Sequence, residues 1–221
     1  NRAMIIYALS GGKTLPENLS DCDDTNVIVN AIQNMPDVID IKAAGTAMRF
    51  LSAYLSVTEG THTITGTERM KNRPIGVLVD ALRFLGADIS YLEKEGYPPL
   101  KITGKKHEGG YLEIPGSVSS QYISALLMIG PVLKKGLTLK LTDEIISRPY
   151  IDLTLWMMNE FGAEAEWSDI DTVKVKPKPY KSHRYSIESD WSAASYWYET
   201  LALSENSENE IKFTGLMDGS K

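Results

Sequence analysis

Apolar positions recur along the chain with two periods, and the order in which those periods alternate predicts its elements. At 74–86 apolar residues fall at i, i+3, i+4 and i+7, behind a proline and ahead of a glycine, and the layout returns at 149–162. Proline in the first turn and glycine past the last are the usual punctuation of an amphipathic helix. The two segments, RPIGVLVDALRFLGAD (73–88) and RPYIDLTLWMMNEFGAE (148–164), form one internal repeat, offset by 75 positions at the prolines and 76 at the glycines. Ahead of each lies a run that alternates or nearly so, 61–65 and 137–141, which predicts a half-buried strand. Behind each come two more strand candidates, 88–92 with 100–103 and 163–167 with 172–175. A further apolar helix opens every unit, at 44–55, 119–129 and 192–203, with 1–9 as the earliest copy.

Each unit therefore reads helix, strand, helix, strand, strand. A period near 75 residues is too long for a solenoid and suits a pseudo-symmetric domain. Neither a helix pair nor a small sheet buries its apolar face alone, so the helices are expected inside and the sheets outside. The first unit is short: Arg2 and Arg49 are only 47 positions apart, and a hairpin is expected to be missing around 35–41. The run Trp156-Met157-Met158 reads as core packing, and 204–209 as a charged loop. An opening Asn1 and an unclosed ending after 210–214 make the chain read as a piece of a longer protein. On that reading residues 1–189 are one domain of three similar units, and 190–221 the truncated start of a second.

Composition narrows the function classes. At 43% hydrophobic and 24% charged the chain has an ordinary globular make-up. A net charge of −6 disfavours nucleic acid and anionic membrane as partners, and no apolar run reaches the length of a membrane span. One cysteine, Cys22, excludes an intramolecular disulfide and fits a reducing, cytoplasmic location. His62, His107 and His183 are far apart and lack zinc-ligand spacing, so no metal is expected there.

Five of the seven arginines, Arg2, Arg49, Arg69, Arg73 and Arg148, fall in or just before the first turns of predicted helices. Cations are mildly disfavoured at that end of a helix, whereas Arg together with a helix N-terminus makes a site for phosphate or carboxylate. The plain alternative is that each is solvated or paired with one of the 29 acids. AGTAMR (44–49) and GSVSSQ (116–121) place glycine, hydroxyls and an Arg or amide at equivalent helix starts, and Ser147 and Tyr150 add to a third. Such residues serve as N-caps, but their recurrence at equivalent unit positions favours a shared pocket. Gly11-Gly12-Lys13-Thr14 ends like a phosphate-binding loop, but Tyr7 occupies the position of its first glycine. Asp21, Asp23 and Asp24 read as helix-start acids rather than metal ligands, and no His or Cys nucleophile arrangement is evident.

These residues, together with NRA (1–3), ERMKNRPIG (68–76), YPPL (97–100), SRPYID (147–152) and DWSAASY (190–196), resemble the 5-enolpyruvylshikimate-3-phosphate synthase family in order along the whole chain. The resemblance implies an α/β fold of pseudo-threefold βαβαββ-type units, and an enzyme of aromatic amino-acid biosynthesis that is the target of glyphosate. It further implies a monomer with two small-molecule substrates, shikimate 3-phosphate and phosphoenolpyruvate, and no cofactor. For shikimate 3-phosphate it points to Arg2, Ser119, Ser120, Gln121, Ser147 and Tyr150. For phosphoenolpyruvate or glyphosate it points to Gly45, Arg69 and, again, Gln121, with Thr46 and Arg49 shaping the pocket. Three departures stand out: Ala43 and Phe50 replace the family's usual Asn and Pro, and the family's upstream Lys would precede Asn1. The family's proton-transfer residues belong to its other domain, so none is expected here. Two alternatives stay open: a non-catalytic domain binding a phosphorylated ligand, and the sibling transferase acting on UDP-N-acetylglucosamine. The sibling carries a flexible-loop cysteine, whereas Cys22 sits in an acidic Ser20–Asp24 turn.

Overall fold

Two four-stranded sheets with the same strand order carry the repeat. The computed structural model describes residues 1–12, 15–204 and 209–217; Lys13, Thr14 and most of the 204–209 loop lie outside the described residues. In the first sheet β1 (Val38–Asp40) runs parallel to β2 (Gly60–Thr65), which pairs antiparallel with β4 (Leu100–Gly104), itself antiparallel to β3 (Asp88–Tyr91). The second repeats this order with β5 (Gly110–Pro115), β6 (Leu137–Thr142), β8 (Thr172–Val175) and β7 (Ala165–Trp167). The parallel strands are joined by the crossover helices α3 (Gly45–Val57) and α6 (Ser120–Ile129). After the second strand come α5 (Gly76–Phe84) in one unit and α7 (Arg148–Glu160) in the other, each leading into the closing hairpin. The repeated segments are thus topologically equivalent.

Each unit opens with a strand rather than a helix. β1 carries a single buried residue, Ile39, too little to show a period. β5 does alternate, with Leu112 and Ile114 inward. The repeat is also less regular at its helix starts than its sequence: Pro149 lies in the first turn of α7, but Pro74 precedes α5, and a separate turn, α4 (Glu68–Lys71), stands before it.

Helices fill the interior. Eight of the ten residues of α6 and ten of the thirteen of α3 are buried, while β6 alternates buried and half-buried positions, one face to the helices and one to solvent. Buried serines survive in α3 because Ser52 and Ser56 donate to the carbonyls of Met48 and Ala53. Of the run Trp156-Met157-Met158 only Met158 is core; Trp156 is 37% exposed. α1 (Arg2–Leu9) and α2 (Asp23–Asn34) belong to the short unit. Met35 ends α2 in the left-handed region and the chain enters β1 with no hairpin between. That unit takes a parallel partner from the far end of the chain, where Ser186 bridges Glu17. Beyond it α8 (Trp191–Ala202) buries only Ala194.

Candidate functional site

Four helices begin at one cleft of about 610 Å³: α1 at Arg2, α3 at Gly45, α6 at Ser120 and α7 at Arg148. It is lined by Asn1, Arg2, Thr46, Arg49, Arg73, Ser119, Ser120, Gln121 and Tyr150, with Ala3, Leu153, Met157 and Ile187 as apolar wall. Among the described residues three guanidiniums and no carboxylate line it, and the converging N-termini add positive partial charge.

Local hydrogen bonds hold these starts together. Ser119 caps α6 by accepting from the Gln121 N–H at 3.4 Å, and the Gln121 side-chain amide donates to Thr46 Oγ1 at 3.2 Å. The Thr46 N–H in turn donates to Asp24 Oδ1 at 3.2 Å, so an acid in the first turn of α2 caps α3. Arg49 Nη1 donates to the Gly45 carbonyl at 2.7 Å and its guanidinium lies 5.4 Å from the Tyr122 ring, while its Nε is buried without a partner. Tyr122 also donates to the Pro74 carbonyl at 2.8 Å, fixing the turn that carries Arg73. A β-carbon at Gly45 would run into the Arg73 guanidinium and stand 2.7 Å from Arg49 Nη1; glycine lets the two cations approach the backbone.

Burial lowers the pKa of Arg2, against a raising effect of Tyr150. It also lowers that of Arg49, with Tyr122 and, less strongly, Asp24 opposing and Arg73 reinforcing the shift. Both stay protonated, because a guanidinium does not titrate in the physiological range. Desolvated guanidiniums with no carboxylate lining the cleft among the described residues form a receptor for an anion such as a phosphate or a carboxylate.

Seven of the ten positions that the resemblance assigned to the substrate pocket line this cleft: Arg2, Thr46, Arg49, Ser119, Ser120, Gln121 and Tyr150. Gly45 lies directly behind it. Ser147 does not line it; it is the half-buried N-cap residue of α7, and its hydroxyl makes no cap bond. Arg69 stands outside, because Met70 takes the buried position of the single turn α4 and leaves Arg69 exposed. Arg148 turns away, stacking 3.9 Å from the Trp167 ring and donating to the Ile170 carbonyl at 2.9 Å. Arg73, legible only as one more helix-start arginine, is brought in by the Tyr122–Pro74 contact. Cys22 is a free, exposed thiol just ahead of α2.

A family model described as EPSP synthase (3-phosphoshikimate 1-carboxyvinyltransferase) matches residues 31–216. The chain belongs to the EPSP synthase family. Its relatives include the 3-phosphoshikimate 1-carboxyvinyltransferase of Bacteroides fragilis, 60% identical over 216 residues, covering 98% of this chain and 52% of the relative. That of Shewanella halifaxensis is 37% identical over 244 residues, covering 98% of this chain and 57% of the relative. This EPSP synthase family chain thus spans about half the length of the curated relatives it matches. Among solved structures, an EPSP synthase from Acinetobacter baumannii superposes with a TM-score of 0.75 at 20% identity, over 92% of this chain and 51% of that one. The enolpyruvyl transferase NikO from Streptomyces tendae superposes with a TM-score of 0.57 at 14% identity, over 89% of this chain and 51% of that one. The fold is that of the enolpyruvyl transferases. No helix among the described residues is long and apolar enough to cross a membrane.

Proposed function

We propose that this chain is the shikimate 3-phosphate-binding half of a cytoplasmic 3-phosphoshikimate 1-carboxyvinyltransferase. The observation that carries the reading is the cleft itself: three guanidiniums, those of Arg2 and Arg49 desolvated, four helix starts and no carboxylate among the described residues lining it, in a chain of the EPSP synthase family. In the reaction the 5-hydroxyl of shikimate 3-phosphate adds to C2 of phosphoenolpyruvate and phosphate leaves. Arg2, Ser119, Ser120, Gln121 and Tyr150 hold shikimate 3-phosphate, with Ser147 at the start of α7 beside them. The family resemblance assigns Gly45, Gln121 and Arg69 to phosphoenolpyruvate, Arg69 from its exposed position outside the cleft, and Thr46 and Arg49 to shaping its pocket. The cations hold phosphate and carboxylate charge in place while the bond forms. Moving protons on and off the vinyl carbon needs an acid and a base, which this reading assigns to the other half of the longer polypeptide.

Residues 1–189 form the substrate domain on this reading, and 190–221 begin the second. Support comes from α8, whose Trp191, Tyr196, Trp197 and Tyr198 are exposed around a single buried alanine, a face suited to burial by further chain. Titration of shikimate 3-phosphate into the intact protein by calorimetry tests the reading, with phosphate release from phosphoenolpyruvate as the second readout. Saturable binding and release dependent on both substrates are expected; a protein that binds shikimate 3-phosphate no better than inorganic phosphate refutes it.

A further inference from the structure

Behind Arg2 lie two buried hydroxyls that do not line the cleft. Ser124 on α6 and Thr154 on α7 are each 0% exposed, polar positions in otherwise apolar helix faces. Thr154 Oγ1 donates to the Tyr150 carbonyl at 2.7 Å, one turn back. With its proton committed there, it accepts from Ser124 Oγ at 2.9 Å and from Arg2 Nε at 2.7 Å. Ser124 Oγ, its own proton given to Thr154, accepts from Arg2 Nη2 at 3.3 Å. Every proton and lone pair of Thr154 is then used, and the direction of each bond is determined. One edge of the guanidinium is pinned, and Phe50 packs 5.6 Å from it. Arg2 also lines the cleft, and its guanidinium carries N–H groups beyond the two used here.

Arg2 has no ion pair among the described residues; its buried partners are dipoles. A carboxylate in the same place would pin the side chain more strongly but cancel the charge an anion needs. From this geometry we infer that Ser124 and Thr154 are positioning residues, a neutral cradle that orients Arg2 toward a phosphorylated ligand while leaving its charge uncompensated. The inference rests on the proposed binding of shikimate 3-phosphate only for the identity of that ligand.

The test is a double-mutant cycle in the intact protein, with shikimate 3-phosphate affinity and the Arg2 Nε–H nuclear magnetic resonance signal as readouts. Thr154→Val is expected to weaken binding about tenfold and to speed solvent exchange at Arg2 Nε–H, since one charge-assisted hydrogen bond is lost. Thr154→Ser keeps the hydroxyl and is expected to recover most of that affinity. In an Arg2→Ala background Thr154→Val should add nothing, because the effect runs through Arg2. Ser124→Ala, which loses the longer bond, serves as the variant if Thr154→Val does not fold. A Thr154→Val penalty that persists without Arg2, or unchanged binding in both hydroxyl variants, overturns the inference. If the unmodified protein does not bind shikimate 3-phosphate, the functional reading falls while the Nε–H signal still decides this one: faster exchange in the hydroxyl variants sustains the cradle, and unchanged exchange refutes it.

Discussion

Two glycines show how one residue type answers to different constraints. At Gly45 the atoms that a methyl group would meet are the ends of two long side chains, Arg73 and Arg49, which can swing aside. Gly45→Ala is therefore expected to leave stability within about 1 kcal/mol, alanine being the better helix former, while displaced guanidiniums weaken anion binding about tenfold or more. Denaturant unfolding beside a phosphoenolpyruvate titration separates the two effects, and equal losses in both would contradict it. At Gly104 the obstruction is backbone, the carbonyls of Thr58 and Leu55, and cannot move alone. Gly104→Ala is expected to cost about 3 kcal/mol in a urea titration, from overpacking at the joint between α3 and β4, without altering the cleft chemistry.

At the scale of elements, the cleft depends on helices capping one another. Asp24 sits on α2 but accepts from Thr46 on α3, so Asp24→Ala should destabilise by about 1 kcal/mol, the usual worth of a cap, and loosen the Thr46–Gln121 contact beyond it. A urea midpoint unchanged from that of the native protein would contradict it. A second joint is the connection from β4 to β5, where His107 is 2% exposed and its ring lies against the backbone of Ser56 and Gly86. Burial holds its pKa below the ordinary value of 6.5; the backbone of Ser56 and Gly86 offsets part of this and Lys105 adds to it. An imidazole held low stays neutral in the fold and takes its proton more readily in the unfolded chain. Its stabilising effect is thus full above about pH 6.5 and is lost progressively as the pH falls below that value. His107→Gln should flatten the decline of the urea midpoint between pH 7 and pH 5; an identical slope in both proteins would remove His107 from the account.

For the whole molecule, the decisive fact is that the chain matches about half of its relatives' length. Taken alone it should bind shikimate 3-phosphate weakly and release no phosphate. Losing two charge-assisted hydrogen bonds from an absent half, at roughly 1.5–3 kcal/mol each, lowers affinity by about two to four orders of magnitude. Solvent entering an open cleft screens the rest. A phosphate-release assay should read background with this chain and recover when the complementary half is added; turnover by the chain alone would place the acid and base within it. The exposed aromatic face of α8 should bind a hydrophobic dye, and that signal should fall on addition of the same half.

The internal repeat, the inward helices and seven of the cleft residues were legible in the sequence. Each has a local signature: a 3.6-residue or two-residue period, a proline or glycine at an element boundary, hydroxyls and arginines at helix starts. The strand β1 had none, since three residues with one inward side chain carry no period. Ser124 and Thr154 could be seen as polar breaks in apolar helices, but their partner is Arg2, 122 and 152 positions away. Arg73, Arg69 and Arg148 are chemically alike and similarly placed in sequence, yet one lines the cleft, one faces solvent and one stacks on Trp167. What separates them is the direction of each side chain relative to elements far away in the chain. Periodicity along the chain records which face of an element is buried; only packing decides which elements meet, and therefore which charges share a site.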